Sequence, residues 1–232
     1  MFFSLFNPMY WLIVGPFLAL AGLATLRVKS TFKKYAKVGV RSGMTGAEAA
    51  AAVVRAGGGP DVTIEEHPGF LSDHYDPRSK TLRLSPDVYN GRSVSAIAVA
   101  AHEAGHSIQD AKNYALLGLR SNLVPLTMIG SNLWIYCFFG GLIFASFGLG
   151  WLMDVGIILF GATVLFQLVT LPVEFDASRR AKAVLATSGI VTTQDEARGV
   201  EKVLGAAAMT YVAGALTAVA HLIYLLVLRG RD

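Results

Sequence analysis

The sequence contains little charge and almost no cysteine. Only 16% of its 232 residues are charged and 53% are hydrophobic, whereas soluble domains are usually roughly 25% charged. The single cysteine, Cys137, has no second cysteine to pair with, which excludes an internal disulfide framework. A chain this poor in charge and this rich in apolar residues is predicted to be an integral membrane protein.

The net charge is also small, at +4, and the basic excess is local. Between Leu26 and Ser42 there are six basic residues and no acidic one. Basic residues clustered in this way are predicted to set the orientation of the chain in a membrane, and not to form a surface for nucleic acid. By the positive-inside rule, this loop and the region after it are predicted to be cytoplasmic. The basic residues are Arg27, Lys29, Lys33, Lys34, Lys37 and Arg41.

Four segments are predicted to cross a bilayer, which takes about 20 apolar residues. They are residues 9–26, 121–153, 155–173 and 203–228, the second being too long for one straight span and expected to end in a turn. A cleaved signal peptide is the alternative for the first segment. Its positive charges follow the apolar run, the reverse of a signal peptide's order, so a retained anchor is favoured.

Residues 42–120 form the polar part of the chain. Thr45 and Glu48 have the spacing of a capping box, which predicts a helix from that point. The stretches DVTIEEH and KTLRLS are predicted to belong to a sheet of two or three short antiparallel strands. A second helix, with Ser93 as a plausible N-cap, then carries the sequence AVAAHEAGHSIQD.

Two histidines and a glutamate in that helix have the spacing of a metal site. His102 and His106 are four residues apart, so one face of a helix can aim both imidazoles at one point. Glu103 is rotated off that direction and can act as general base toward a water at the metal. The alternative is two satisfied helix histidines beside a surface glutamate. The apolar context AIAVAA makes three adjacent ionisable groups costly without a metal.

A third ligand is expected on the cytoplasmic side. Glu174 follows Pro172 at the cytoplasmic end of the third predicted span, and an ionisable residue at a membrane boundary is a functional candidate. The alternative is a helix-end carboxylate paired with Arg179 or Arg180. Asp176 is the best substitute ligand.

The residues that carry a family resemblance are DHYDPRSKTLRLSPDVYNGRSVSAIAVAAHEAGHSIQD and the later PVEFDASRRA. In these the chain resembles the YugP-type neutral zinc metallopeptidases of bacteria, and more distantly the HtpX-type and CAAX-type membrane proteases. The resemblance implies a Zn²⁺ ion held by His102, His106 and Glu174, with Glu103 catalytic. The distant relatives carry Asp four residues after the ligand Glu, where this chain has Ser178.

The expected fold is a mainly α-helical integral membrane protein with about four transmembrane helices and a small α+β cytoplasmic, zincin-like region that carries the His-Glu-x-x-His helix. The expected segments are an anchor with its basic loop (1–41), the metallopeptidase region (42–120), a transmembrane hairpin (121–173), a cytoplasmic helix with the third ligand (174–202) and a last transmembrane helix (203–232).

The expected function is a multi-pass, inner-membrane zinc endopeptidase with its active site on the cytoplasmic side. It is expected to act on a protein or peptide substrate in or near the lipid bilayer and to bind no nucleic acid. The alternative is a catalytically silent zinc-containing scaffold or chaperone-like binder.

Several accessory roles stay open from the sequence. Tyr211, His74 and Tyr75 are candidates for stabilising an oxyanion, and Asp110 either orients a ligand imidazole or faces water. The strand TLRLS is a candidate for pairing with an extended substrate. His221, deep in the last predicted span, is expected to form a hydrogen bond across helices.

Overall fold

The computed structural model describes residues 7–230, and the chain is mainly helical. The first six residues of the predicted anchor and the last two of the final segment lie outside the described residues. The elements, in chain order, are α1 (Pro8–Ile13), α2 (Gly15–Tyr35), α3 (Gly46–Gly57), β1 (Thr63–Glu66), β2 (His74–Asp76), β3 (Thr81–Leu84), α4 (Pro86–Tyr89), α5 (Val94–Ala111), α6 (Ala115–Ile143), a short 3₁₀ helix (Ala145–Phe147), α7 (Trp151–Thr187) and α8 (Gln194–Arg229).

Three of the described helices, α6, α7 and α8, are long and apolar enough to cross a membrane. In their most apolar stretches only 17%, 28% and 28% of the residues are buried within the protein. A helix that is apolar all round and yet little covered by protein is suited to lipid surroundings. Three candidate spans are therefore present among residues 7–230, against the four that were predicted.

The first predicted span, residues 9–26, is not among the three. The helix is interrupted there at Val14, between α1 and α2. Pro16 accounts for the break, since proline has no N–H to donate and its ring clashes with the carbonyl four residues earlier. This segment stays a predicted anchor.

The chain divides into two compact units. The first, here called the apolar unit, comprises Met1–Ala24, Leu119–Leu171 and Thr210–Asp232; the second, called the polar unit, comprises Thr25–Gly118 and Pro172–Met209.

Within the apolar unit, α6 and α7 form a tight hairpin. A Cβ atom on Gly156 would lie only 2.7 Å from the backbone nitrogen of Phe138, so glycine permits this close approach. Asp154 accepts two hydrogen bonds from Arg229, at 2.9 and 3.0 Å. This pairing neutralises the carboxylate near the start of α7.

The His221 ring in the apolar unit lies among aromatic rings. Its centroid is 5.3 Å from that of Tyr10, 5.9 Å from Phe160 and 6.5 Å from Trp134. Edge-on contacts of this kind are favourable between rings. The cross-helix hydrogen bond expected for His221 stays a prediction.

In the polar unit, α3 begins with the predicted capping box. The Thr45 side chain accepts from the Glu48 backbone N–H, and the Glu48 carboxylate accepts from that of Thr45. The three-stranded sheet has the order β1-β3-β2. β1 and β3 contain the two stretches that were predicted as strands, and they are parallel, so the prediction of antiparallel pairing was wrong. β2, which was not predicted as a strand, pairs with β3 in antiparallel fashion.

Helix α5 is the centre of the polar unit. Ser93 is its N-cap, as expected, and accepts a hydrogen bond of 3.3 Å from the Ala96 backbone. Fifteen of its eighteen residues are buried, including the three ionisable residues of the motif. Ile97 and Ile108 belong to a core with Val53 of α3 and Leu82 of β3. A helix covered on so many sides holds its side chains in fixed directions.

Candidate metal centre

His102 and His106 lie one turn apart on α5 and face the same point. Their ring centroids are 4.8 Å apart, and both side chains are buried. The 3.6-residue period brings two residues at this spacing onto one face. The burial of α5 in the core limits the rotamers that the two rings can adopt.

Glu174 reaches this pair from α7. Its Oε2 is 3.0 Å from Nε2 of His102 and 3.6 Å from Nε2 of His106, and the residue is only 2% exposed. Pro172 lies inside α7 and does not end it, so Glu174 belongs to one continuous helix. The alternative was an ion pair between Glu174 and Arg179 or Arg180. The Glu174 carboxylate faces the two imidazoles instead.

The close approach of α5 and α7 depends on Gly105. A Cβ atom at this position would lie 2.5 Å from the carbonyl oxygen of Ala177, which is far inside van der Waals contact. Gly105 lies between the two histidines in the sequence. The absence of its side chain lets the two helices come near enough for Glu174 to meet the rings.

The three side chains fit a zinc ion in number, type and spacing. Zinc binds imidazole nitrogen and carboxylate oxygen at about 2.0–2.1 Å, so two ligands in tetrahedral arrangement are about 3.3–3.4 Å apart. The Nε2–Oε2 separations of 3.0 and 3.6 Å bracket that value. One ligand atom from each of the three residues lies within 4.8 Å of the others. Three protein ligands leave a fourth position free, as in catalytic zinc sites.

The other nitrogen of each ring has its own oxygen partner. His102 Nδ1 is 3.0 Å from Ser178 Oγ, and His106 Nδ1 is 3.0 Å from Gln109 Oε1. With Nδ1 engaged in this way, Nε2 of each ring is directed at Glu174. This is the arrangement in which protein oxygens orient metal-binding imidazoles.

Gln109 is fixed from both ends of its amide. Its Nε2 donates to the carbonyl of Val173 at 2.8 Å and to Asp176 Oδ2 at 2.9 Å. The amide oxygen must therefore face His106, and it accepts the hydrogen of His106 Nδ1. Gln109 is fully buried, so water cannot substitute for any of these partners.

Asp176 forms a hydrogen bond with Gln109 and does not face the candidate metal position. Besides its bond from Gln109, its carboxylate accepts from Arg180 at 2.5 Å and from Arg179. The prediction of Asp176 as a substitute ligand is not supported by these contacts, since both of its oxygens are engaged elsewhere.

Asp110 does not orient either imidazole. Its carboxylate accepts from the hydroxyl of Tyr75 at 2.6 Å and from Lys80. Burial and this hydrogen bond raise the pKa of Tyr75 above its ordinary value, so the phenol stays protonated and committed to Asp110. Tyr75 is consequently a poor oxyanion donor in this arrangement.

The remaining predicted residues have separate outcomes. Glu103 is buried, at 8% exposure, on the same helix as the two histidines. His74 Nδ1 lies 2.9 Å from the Ser72 carbonyl, and Tyr211 belongs to the apolar unit. β3 is the central strand and has a neighbour on both sides, so the prediction that TLRLS pairs with a substrate was wrong.

Two residues of the site were not identified from the sequence as partners of the ligands. Gln109 lies three positions after His106, on the same helix face, and this spacing was an available signal. Ser178 was noted only as a departure from Asp at that position. Its contact with His102 joins residues 76 positions apart, which no local pattern reveals.

Comparison with known proteins covers nearly the whole chain. A family profile described as "Putative neutral zinc metallopeptidase" matches residues 10–230, which include the whole candidate centre. The chain is 46% identical over 217 residues to a Bacillus subtilis (strain 168) protein named "Putative membrane protease YugP", covering 93% of this chain and 95% of that protein. No solved structure matches.

Proposed function

Since the chain belongs to this family of neutral zinc metallopeptidases, we propose that it is a membrane-embedded zinc endopeptidase that hydrolyses peptide bonds of membrane-associated or misfolded proteins. The observation that carries the proposal is the buried meeting of His102, His106 and Glu174, with Glu103 one position from the first ligand. Three ligands and a neighbouring base are the parts that metal-assisted hydrolysis needs.

The residues have distinct roles in this proposal. His102, His106 and Glu174 would hold Zn²⁺, which when bound polarises a substrate carbonyl and makes a water more acidic. Glu103 accepts the proton of the attacking water and then delivers it to the leaving amine. Gln109 and Ser178 keep the imidazoles in the orientation that directs Nε2 inward.

The outer edge of β2 is the proposed place for the substrate backbone. β2 is an edge strand, and Tyr75 ties it to α5 through Asp110. An extended peptide can add to such an edge through main-chain hydrogen bonds. The short β2 gives three residues of pairing, from His74 to Asp76.

The proposed topology places the candidate centre at the cytoplasmic face of the inner membrane. Two basic stretches support it, one between Leu26 and Ser42 and one formed by Arg179, Arg180 and Lys182. The predicted division into five segments, with 42–120 and 174–202 cytoplasmic, is part of the same proposal.

Removal of metal is expected to abolish hydrolysis reversibly. Detergent-purified protein is treated with a chelator, dialysed, and assayed on an unfolded test protein with and without added zinc. Activity should disappear with the metal and return at about one zinc per chain, because the site has one set of three ligands. Hydrolysis that persists in metal-free protein would contradict the proposal. A zinc-loaded protein that never hydrolyses would favour the scaffold.

Gln109→Leu is expected to weaken zinc binding by about 10- to 100-fold, because loss of an oxygen that orients a ligand imidazole typically costs that much. Competition with a chromogenic chelator measures the affinity without relying on activity. The matched control is Ser107→Ala, which removes another buried hydrogen bond from α5, that to the Ala104 carbonyl at 2.7 Å. Equal zinc affinities in the two variants would show that Gln109 only stabilises the fold.

A further inference from the structure

One cavity of the polar unit has no part in the proposed hydrolysis. It has a volume of about 780 Å³ and lies between the end of α2 and the turn that precedes α5. Four basic side chains line it, and Asp87 is the one acidic residue in the lining. The basic residues are Lys33, Lys34, Lys37 and Arg92. The lining therefore favours an anion.

The lysines are available for a ligand, and the arginine is held in place. Lys33, Lys34 and Lys37 are exposed, and within residues 7–230 no ion pair engages any of them. Arg92 donates to the carbonyl of Gly43 and lies 3.9 Å from the carboxylate of Glu48, which fixes its direction, so the lysines carry most of the charge available to an anion. An anchored guanidinium together with exposed ammonium groups suits a phosphate, which accepts several hydrogen bonds at once.

The rim of the cavity is apolar and partly exposed. Phe32 is buried, and Phe70 contacts it edge-on with ring centroids 5.6 Å apart. Phe70 is nevertheless 45% exposed, on a turn in which Gly69 and Leu71 both have positive φ. A free phosphate would gain no favourable contact from an exposed aromatic ring beside it. An aromatic side chain next to basic groups is typical of the membrane interface, where glycerol and acyl carbons meet headgroups.

With residues 9–26 as the predicted anchor, Lys33 on α2 lies at the depth of the lipid headgroups. The predicted apolar run ends at Leu26, and Lys33 is seven residues further along the same helix, or about 10 Å at 1.5 Å per residue. The headgroup layer begins at the end of the hydrocarbon, and a lysine side chain can reach back several ångströms toward it. A site for an acidic peptide would not need to lie at a fixed distance from the end of the apolar run.

We propose that this cavity binds the phosphate headgroup of an anionic phospholipid, with Phe70 against the glycerol and upper acyl region. The site is separate from the metal centre and does not depend on the hydrolytic proposal. Lipid bound here would hold the polar unit against the membrane surface through α2.

The test uses the full-length chain in detergent and titrates phosphatidylglycerol, with phosphatidylcholine as the neutral lipid, by native mass spectrometry. The variant combines Lys33→Gln, Lys34→Gln and Lys37→Gln. The matched control combines Arg55→Gln, Arg78→Gln and Lys112→Gln, which removes equal charge from exposed positions outside the cavity. The affinity for phosphatidylglycerol should fall at least about tenfold in the triple lysine variant and not in the control. Each basic residue near a membrane surface adds to the attraction for anionic lipid.

Other outcomes separate the alternatives. Equal losses in the two triple variants would overturn the site in favour of general charge attraction. Displacement of the lipid by millimolar inorganic phosphate, with no effect of Phe70→Ala, would overturn the lipid in favour of a free-phosphate site. Weaker phosphatidylglycerol binding in Phe70→Ala, with all lysines in place, would support the proposal independently of charge.

Discussion

Glu103→Gln is expected to lower peptide hydrolysis by about a thousandfold, within the range of about 10²- to 10⁴-fold that a general base contributes. Glutamine has nearly the same shape, so α5 and its packing should be unchanged, but it cannot accept the proton of the attacking water. Neighbouring helix positions are rotated by about 100°, so Glu103 is not expected to bind the metal. Zinc content should therefore stay at about one ion per chain, as measured by elemental analysis.

The combination of retained zinc and lost activity is the informative result. Glu201→Gln is the matched control, since it makes the same change at an exposed position of α8 and should leave hydrolysis unaltered. If Glu103→Gln cleaves the test protein as fast as the unmodified chain, Glu103 is not the base. If it loses zinc as well, Glu103 contributes to holding the metal and the assigned roles need revision.

The candidate metal cluster could be predicted because two kinds of local signal converge on it. The spacing of His102 and His106 follows from the helical period alone. Glu174 was found because a carboxylate next to a long apolar run is conspicuous. Both signals depend on residue type and spacing and not on how distant segments pack. The structure brings these three residues together within 4.8 Å.

The partners of the ligands could not be predicted in the same way. Asp110 was considered because it lies four residues after His106, but the sheet supplies Tyr75 and Lys80 to engage it instead. Gln109 is directed by Val173 and Asp176, more than 60 positions away in the sequence. Such contacts depend on the distance between two helices, which Gly105 sets by close packing.

Element boundaries show the same division between local and long-range information. Apolar composition located the three candidate spans, yet α7 continues through Pro172 to Thr187, well beyond its apolar run. The parallel pairing of β1 with β3 also escaped prediction, because β2 lies between them in the sequence but at the edge of the sheet. Alternation along a strand does not specify which neighbour it will pair with.

Glu174→Ala is expected to abolish zinc binding at chelator concentrations that leave the unmodified chain fully loaded. The change removes the ligand that joins α7 to α5, and two imidazoles alone hold zinc far less tightly than a three-ligand set. The change takes a carboxylate out of the core and adds no charged group to it. The folding of the Glu174→Ala variant can be verified by comparing its melting temperature with that of the unmodified protein after removal of metal.

Asp176→Asn distinguishes the two carboxylates of α7. Asp176 contacts Gln109, Arg179 and Arg180, so its effect on zinc should be indirect and close to that of Gln109→Leu. We expect about tenfold weaker binding, in the range found when residues that support metal ligands are changed. The opposite order, with zinc lost from Asp176→Asn and retained by Glu174→Ala, would place the third ligand at Asp176. In that case the 3.0 Å contact between Glu174 and His102 is a hydrogen bond with no part in metal binding.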